Sequence, residues 1–388
     1  MITSRLLRER IPALLLLHVL ILASLLVLSC ARPDPGEPTL TSLDDLESFA
    51  SGFFPRRMKE LHIPGLVFVA VREGEALLAE GYGRASIEEN LGMDPDSTVV
   101  RIGSISKIFV ALAVLQLAEK GQLDLVADVN QYLQGFQVAN PFPVALTLEH
   151  LLTHTGGIQD PPYESNTVAS DRQPLGQFLA SELPPVVTVP GEEFAYSSYG
   201  YALAGYVVEE VSGVPFDAYV RDNILEPLGM SDTEYLLAPP GPRAMATGYS
   251  RPGGRYVAEP LDYDDDYPGG SLISTGHDMA IFVTALLHDG CRGESCILQP
   301  ASVADLQRAR VETPGGGLLQ TPGLVEGHVS GQRVLGHTGA IRGFGATLDM
   351  FPEHDVGYFF SFNAECYESS ACAIISEFRE AFAAGLPR

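Results

Sequence analysis

Two apolar rhythms alternate along the chain. Leu66–Val71 and Ala76–Gly81 are short apolar runs on either side of Glu73-Gly74, which predicts two strands joined by a turn. From about residue 104 to residue 235 the spacing becomes helical. Ile108, Leu112 and Leu115 recur at i, i+4 and i+7 ahead of Gly121, and Tyr201, Ala204, Val208 and Val211 share one face before Gly213. A helix from Asp278 to Leu287 then precedes strands over Arg333–Leu335, Gly345–Met350 and Val356–Phe362. A last helix carries Ile375, Phe378 and Phe382 on one face. Strands at both ends with helices between them predict an α/β (α+β) fold. One sheet is assembled from the N- and C-terminal segments and flanked by helices, and a mostly helical lobe is inserted. No internal repeat or clean linker divides it, so a single unit of two lobes is expected.

The first residues follow a different logic. Arg5, Arg8 and Arg10 precede an apolar stretch from Ile11 to Leu28 that ends at Ser29-Cys30. This is the pattern of an export signal over residues 1–29. Val27-Leu28-Ser29-Cys30 resembles a bacterial lipobox, in which Cys30 is lipidated and becomes the new N-terminus, although Leu28 is bulkier than the residue usual there. A plain signal peptide or an uncleaved anchor helix are the other readings. All three export the remainder and place it at a membrane, periplasm or cell exterior. Residues 30–42, rich in proline and acid from Ala31 to Pro38, read as a tether, and 43–388 as the folded domain.

Export changes the reading of the cysteines. Beyond Cys30 stand Cys291, Cys296, Cys366 and Cys372, which allow three disulfide connectivities. The short-range pairing is the simplest; a zinc site is the rival, but the spacings are not those of a zinc ribbon. The chain has 388 residues, 46% of them hydrophobic, with a formal charge of -25. That charge excludes nucleic acid as a natural partner, since phosphate recognition needs the opposite sign. Lys59, Lys107 and Lys120 are the only lysines.

One of those lysines carries the candidate chemistry. In Ser104-Ile105-Ser106-Lys107 a hydroxyl and an amine stand three residues apart at the head of an apolar helix, so both fall on one helix face. An amine of lowered pKa can take the proton of a serine and make it a nucleophile. Burial and the helix end favour such lowering, whereas a strongly acidic protein opposes it; the local terms are expected to win, because solvent screens distant charges. Tyr196-Ser197-Ser198 follows Pro190-Gly191 and leads into a helix. A tyrosine there exchanges a proton with a leaving group if nearby positive charge lowers its pKa. His337-Thr338-Gly339 follows a short strand: histidine and threonine suit holding a carboxylate or steering a proton, and Gly339 suits close approach of a substrate backbone. The plain alternatives are a helix cap with a surface lysine, a core tyrosine, and a turn between strands. His150 and His154, four apart on an expected helix, are a weaker metal candidate, because Glu149 precedes rather than follows the first histidine. No glycine-flanked nucleophile elbow is present.

Together these segments resemble the serine β-lactamase and penicillin-binding-protein superfamily. The likeness is to the class C β-lactamase-related branch, which includes D-alanyl-D-alanine carboxypeptidases, esterases and D-aminopeptidases. Arg101–Lys107 resembles its nucleophile segment, Leu148–Gly157 a helix end, Pro190–Gly205 its tyrosine segment and Gly336–Phe344 its third element. Pro227–Met230 and Gly269–Asp278 match further stretches. The resemblance implies a β-lactamase/transpeptidase-like fold and an exported serine hydrolase that cleaves an ester or amide of a small molecule or peptide, with no cofactor and no metal. Ser104 would be the acylated nucleophile, with Lys107 and Tyr196 handling its proton. The backbones of Ser104 and Ala340 would form the oxyanion hole, and Ser198, His337, Thr338 and Gly339 would bind substrate. Two departures tilt the reading away from β-lactams: Ser198 stands where an asparagine is usual, and His337 where β-lactamases of this class carry lysine. Gly156 also replaces a frequent serine. Cell-wall carboxypeptidase or β-lactamase activity is one alternative, and a non-catalytic binding protein on the same fold is another.

Overall fold

The computed structural model describes residues 39–162, 165–241, 243–366 and 369–387. The expected signal segment, Cys30 and residues 31–38 of the tether lie outside the described residues. The folded part starts slightly before Leu43, since Leu40 is already buried. Among the described residues no helix is long and apolar enough to cross a membrane.

Helix α1 (Leu46–Leu61) comes first and was not expected. Gly52 and Pro55 argue against a helix locally. Tertiary burial overrides them, because Phe49, Phe53, Phe54 and Met58 form a continuous apolar stripe. Strands β1 (Gly65–Arg72) and β2 (Glu75–Ser86) follow, joined where expected by Glu73 and Gly74, both at positive φ (52° and 83°). A short edge strand β3 (Leu91–Gly92) pairs with β2. Then come helices α2 (Ser106–Glu119), α3 (Leu148–Leu152), α4 (Ser198–Ser212) and α5 (Gly276–Leu287). Late in the chain lie β4 (Val311–Glu312), β5 (Leu319–Gln320), β6 (Val325–Val329), β7 (Gln332–Ile341), β8 (Phe344–Phe351) and β9 (Val356–Phe362). Helix α6 (Ala373–Ala384) closes the chain. The inserted region carries α2, α3 and α4 but includes long loops as well.

The nine-stranded sheet has the order β4-β5-β6-β7-β8-β9-β1-β2-β3, antiparallel throughout. Its centre is the seam expected between the termini, with Leu66 opposite Phe362 and Arg72 opposite Val356. Alternation divides β1 between two cores. Leu66, Phe68 and Ala70 face α1 and α6, while Val67, Val69 and Val71 join the core of α2, α4 and α5. Helix α2 is apolar on every side and buried from Ser106 to Leu117, which places it at the heart of that second core.

The strand expected over Arg333–Leu335 runs on to Ile341, so His337-Thr338-Gly339 lies within β7 rather than after a strand or in a turn. The strand continues through its two glycines, Gly336 and Gly339. The cysteines take the short-range pairing, Cys291 with Cys296 and Cys366 with Cys372.

A buried ion pair fastens α6 to the sheet. Arg379 donates from Nε and Nη2 to the two Asp349 carboxylate oxygens, both at 3.0 Å, and Tyr358 donates to the same carboxylate at 2.6 Å. Removing one partner strands the other charge in the core. Arg379→Met is expected to cost about 3–5 kcal/mol, read as a lower midpoint in denaturant unfolding; an unchanged midpoint would contradict the role given to this pair.

Candidate active site

Ser104 sits in a single 3₁₀ turn, Gly103–Ile105, and α2 begins only at Ser106. The expected shared helix face is therefore a turn–helix junction, but the geometry survives. Lys107 Nζ lies 3.1 Å from Ser104 Oγ, 3.2 Å from Ser198 Oγ and 2.8 Å from the Gly269 carbonyl oxygen. Lys107 is only 1% exposed, whereas Ser104 is partly exposed and can be reached from outside.

Those three partners define what the amine can do. A protonated amine donates to all three oxygens. A neutral amine keeps two N–H bonds and one lone pair, and that lone pair must face a hydroxyl, because the Gly269 carbonyl cannot donate. Ser104 and Ser198 are the hydroxyls available. Burial lowers the Lys107 pKa to about 8, against the opposing charges of Asp160 and Asp266. The expected contest between burial and acidity is thus real, and burial wins.

Tyr196 corrects an expectation. Its hydroxyl hydrogen-bonds Ser104, and Lys107 Nζ stands 5.0 Å from its ring centroid, yet burial pushes its pKa upward. The cation does not pull it down, since the amine itself is easily deprotonated. Tyr196 is therefore a neutral phenol. Its ring stacks on His154 with centroids 4.1 Å apart.

His154 does not share a helix face with His150. Helix α3 ends at Leu152, and His154 adopts φ 57°. Its Nδ1 accepts from the Ser197 amide at 3.1 Å, so the two histidines are separated in role as well as in geometry.

The third element comes from β7. Pairing with β6 ends at Gly336, and the uncovered stretch of β7 meets the Gly103 turn. A Cβ on Gly339 would stand 2.0 Å from the Ile102 carbonyl oxygen, so glycine is required there for backbone packing, not for substrate approach as expected. A Cβ on Gly103 would meet the Ala340 nitrogen at 2.9 Å, and one on Gly339 the Ser104 nitrogen at 3.4 Å. The backbone nitrogens of Ser104 and Ala340 thus border the same narrow contact. His337 is buried, and its Nδ1 lies 2.6 Å from the Thr338 carbonyl oxygen. Since a carbonyl cannot donate, Nδ1 carries the proton and Nε2 is an acceptor. Burial, then the Lys107 charge, lower the His337 pKa to about 4, so it brings no positive charge to a carboxylate. Thr338 takes the opposite face of the strand, across from Thr347, and its side chain does not join the hydrogen-bond cluster.

Asp160 escaped the sequence reading, and no role at this site was foreseen for His154 or Gly269. Asp160, the Gly269 carbonyl and the His154 ring all contact the cluster. The acidic loop Asp262–Tyr267 is buried: Arg101 pairs with Asp262 and, at 3.4 Å, with Asp264, while Arg342 reaches Asp262 at 3.3 Å. These contacts tie the segment carrying Ser104 to the loop carrying Gly269. The available signal was an arginine three residues before Ser104 in a chain with a run of acids.

A partly exposed serine touched by a buried amine and a phenol, against the uncovered edge of an antiparallel sheet, is the arrangement expected of the serine β-lactamase and penicillin-binding-protein fold. The profile of the Beta-lactamase family matches residues 50–373, and the chain belongs to that family. It is 30% identical over 231 residues to the putative penicillin-binding protein PbpX of Bacillus subtilis, covering 59% of this chain and 56% of that protein. It is 27% identical over 241 residues to protein flp of Staphylococcus aureus, covering 61% and 48%. The chain spans about half the length of these curated relatives. Among solved structures, the octameric penicillin-binding protein homologue from Pyrococcus abyssi superposes with a TM-score of 0.74 at 26% identity, covering 87% of this chain and 76% of that one.

Gly339→Ala is expected to force β7 away from Ile102 and to slow labelling of Ser104 by a fluorophosphonate about 100-fold, with circular dichroism confirming a retained sheet. Wild-type labelling would refute the close packing as a requirement of the site.

Proposed function

We propose that this chain is an exported serine hydrolase that cleaves an ester or amide through an acyl-enzyme on Ser104. The observation that carries the reading is the buried Lys107 amine, 3.1 Å from the Ser104 oxygen and deprotonated from about pH 8 upward. Membership of the Beta-lactamase family supports a hydrolase of this fold. Export and a lipid anchor on Cys30 rest on the N-terminal pattern, and the two cysteine pairs are consistent with an oxidising compartment.

Each residue of the cluster has its own part in the reaction. Ser104 Oγ attacks the substrate carbonyl carbon while its proton passes to the neutral Lys107 amine. The carbonyl oxygen gains negative charge and turns toward the N–H groups of Ser104 and Ala340, each worth about 3 kcal/mol to the transition state. Tyr196, a neutral phenol against Ser104, donates a proton to the departing alcohol or amine and is reprotonated by the Lys107 ammonium. Water then attacks the acyl carbon by the same route, giving a carboxylic acid and restoring the serine.

Ser198 contacts Lys107 directly, so its role is to hold the base rather than to reach across to a substrate amide. The neutral His337, with Nε2 as acceptor, favours a substrate that presents an N–H or O–H there. This weighs against a D-alanyl-D-alanine carboxypeptidase, whose substrate ends in a carboxylate, and against a β-lactamase. The joint presence of hydroxyl, amine and phenol in contact weighs against a binding protein that has lost catalysis.

Intact-mass measurement after treatment with a fluorophosphonate, an activated ester and a penicillin tests the reading. A single adduct with the fluorophosphonate or ester, absent in Ser104→Ala, is expected; no adduct from any probe would overturn it. The pH dependence is a second test. Protonation removes the base, so kcat/KM is expected to be low in acid and to rise through a midpoint at about pH 8. A plateau already reached at about pH 6 would contradict Lys107 as the base.

A further inference from the structure

Asp160 follows Gly156-Gly157-Ile158 on the loop leaving α3, and no motif marks it. Its carboxylate gathers the start of α4. Oδ1 accepts from the Ser197 hydroxyl at 2.8 Å and the Tyr199 amide at 2.9 Å, and Oδ2 accepts from the Ser198 amide at 3.0 Å. Ser197 in turn accepts from the Gly200 amide at 2.9 Å, closing a cap over the first turn of the helix. An ordinary N-cap needs one side-chain acceptor, and Ser197 already supplies it. The carboxylate is therefore additional. It is spent on the three residues that directly follow Tyr196, including the serine that touches Lys107.

We propose that Asp160 is the positioning residue of this site: one carboxylate fixes where Tyr196 and Ser198 stand against Lys107 and supplies negative charge facing that amine. The inference rests on the acyl-enzyme reading given above. Its physical sense lies in balance. Burial alone drives an amine toward permanent neutrality, where it is a weak base and accepts the serine proton poorly. A nearby carboxylate restores basicity. Among the described residues, the groups facing Lys107 are Asp160 ahead of α4, Asp266 on the acidic loop, the Tyr196 and Tyr201 rings, and His337 on β7. His337 is held neutral at working pH, and the two tyrosines are held as neutral phenols. The charge balance at the amine thus falls to Asp160 and Asp266.

The test uses the full folded domain and separates charge from capping. Asp160→Asn keeps size and one acceptor but removes the charge. With that charge gone the neutral amine is favoured, so the acid limb of kcat/KM should move to lower pH, by about one unit, and kcat should fall at least tenfold as Ser198 and Tyr196 loosen. Asp160→Glu keeps the charge and displaces the acceptors; it should lower kcat while leaving the limb within a few tenths of the wild-type position. If Asp160→Asn lowers the melting temperature but leaves the limb and kcat unchanged, Asp160 is a cap alone and the proposal fails. A limb that moves to higher pH overturns the charge argument. Failure of the underlying reading looks different: Ser104→Ala would retain hydrolysis, whatever Asp160 does. Where Asp160→Asn is too unstable for kinetics, the pH dependence of fluorophosphonate labelling in Asp160→Glu and wild type decides, and a limb displaced by a full unit in Asp160→Glu overturns the proposal.

Discussion

The desolvated amine of Lys107 is the constraint around which the rest of the site is organised. A lysine removed from water loses the hydration that favours its charge, and only its immediate partners can compensate. Here the partners are two hydroxyls and one carbonyl, a set that accepts either protonation state without leaving an N–H or the lone pair stranded. Every feature nearby bears on that balance. Helix α2 is apolar on all sides, so Lys107 is buried whichever way the helix turns. Tyr196 and Tyr201 wall the amine off from water, and Asp160 and Asp266 limit how far its basicity falls.

The architecture explains why these groups meet although they come from distant parts of the chain. The two termini build one sheet through the β1–β9 seam, and this brings β7 against the turn that carries Ser104. Gly339 lets the two backbones touch, and the Arg101 ion pairs hold the acidic loop and its Gly269 carbonyl against the same turn. The loop before α4 supplies the remaining side, aligned by stacking on His154 and by the Asp160 cap. The result is a hydroxyl, an amine and a phenol fixed by three separate kinds of interaction.

Much of this arrangement is legible in the sequence. The Ser104–Lys107 spacing, the loop at Tyr196 and the strand pattern after Asp278 all lead to the right elements, since hydrophobic period and residue chemistry are local properties. The short-range cysteine pairing is equally accessible from spacing. What stays hidden depends on tertiary packing. Helix α1 carries a glycine and a proline that local propensity counts against, and only burial beneath the sheet restores it. Residues 262–267 stand out by sequence only as an acidic loop, because the partner buried with them, Arg101, is 161 positions away from Asp262. Gly339 points to a close approach, but the partner is the protein's own backbone. By sequence, Tyr196 calls for a lowered pKa because a neighbouring lysine counts as a cation. The burial that lowers the lysine pKa raises that of the phenol and holds it neutral.

The most direct measurement is the titration of Lys107 itself. The chain has three lysines, so lysine labelled with ¹³C at Cε gives a spectrum of three side-chain signals, and Lys107→Arg assigns the one that matters. This signal is expected to titrate with a midpoint of about 8 in the free protein. A Lys107 midpoint at the ordinary lysine value of about 10.4 would contradict it, because such an amine leaves almost no neutral base at about pH 8 to take the serine proton.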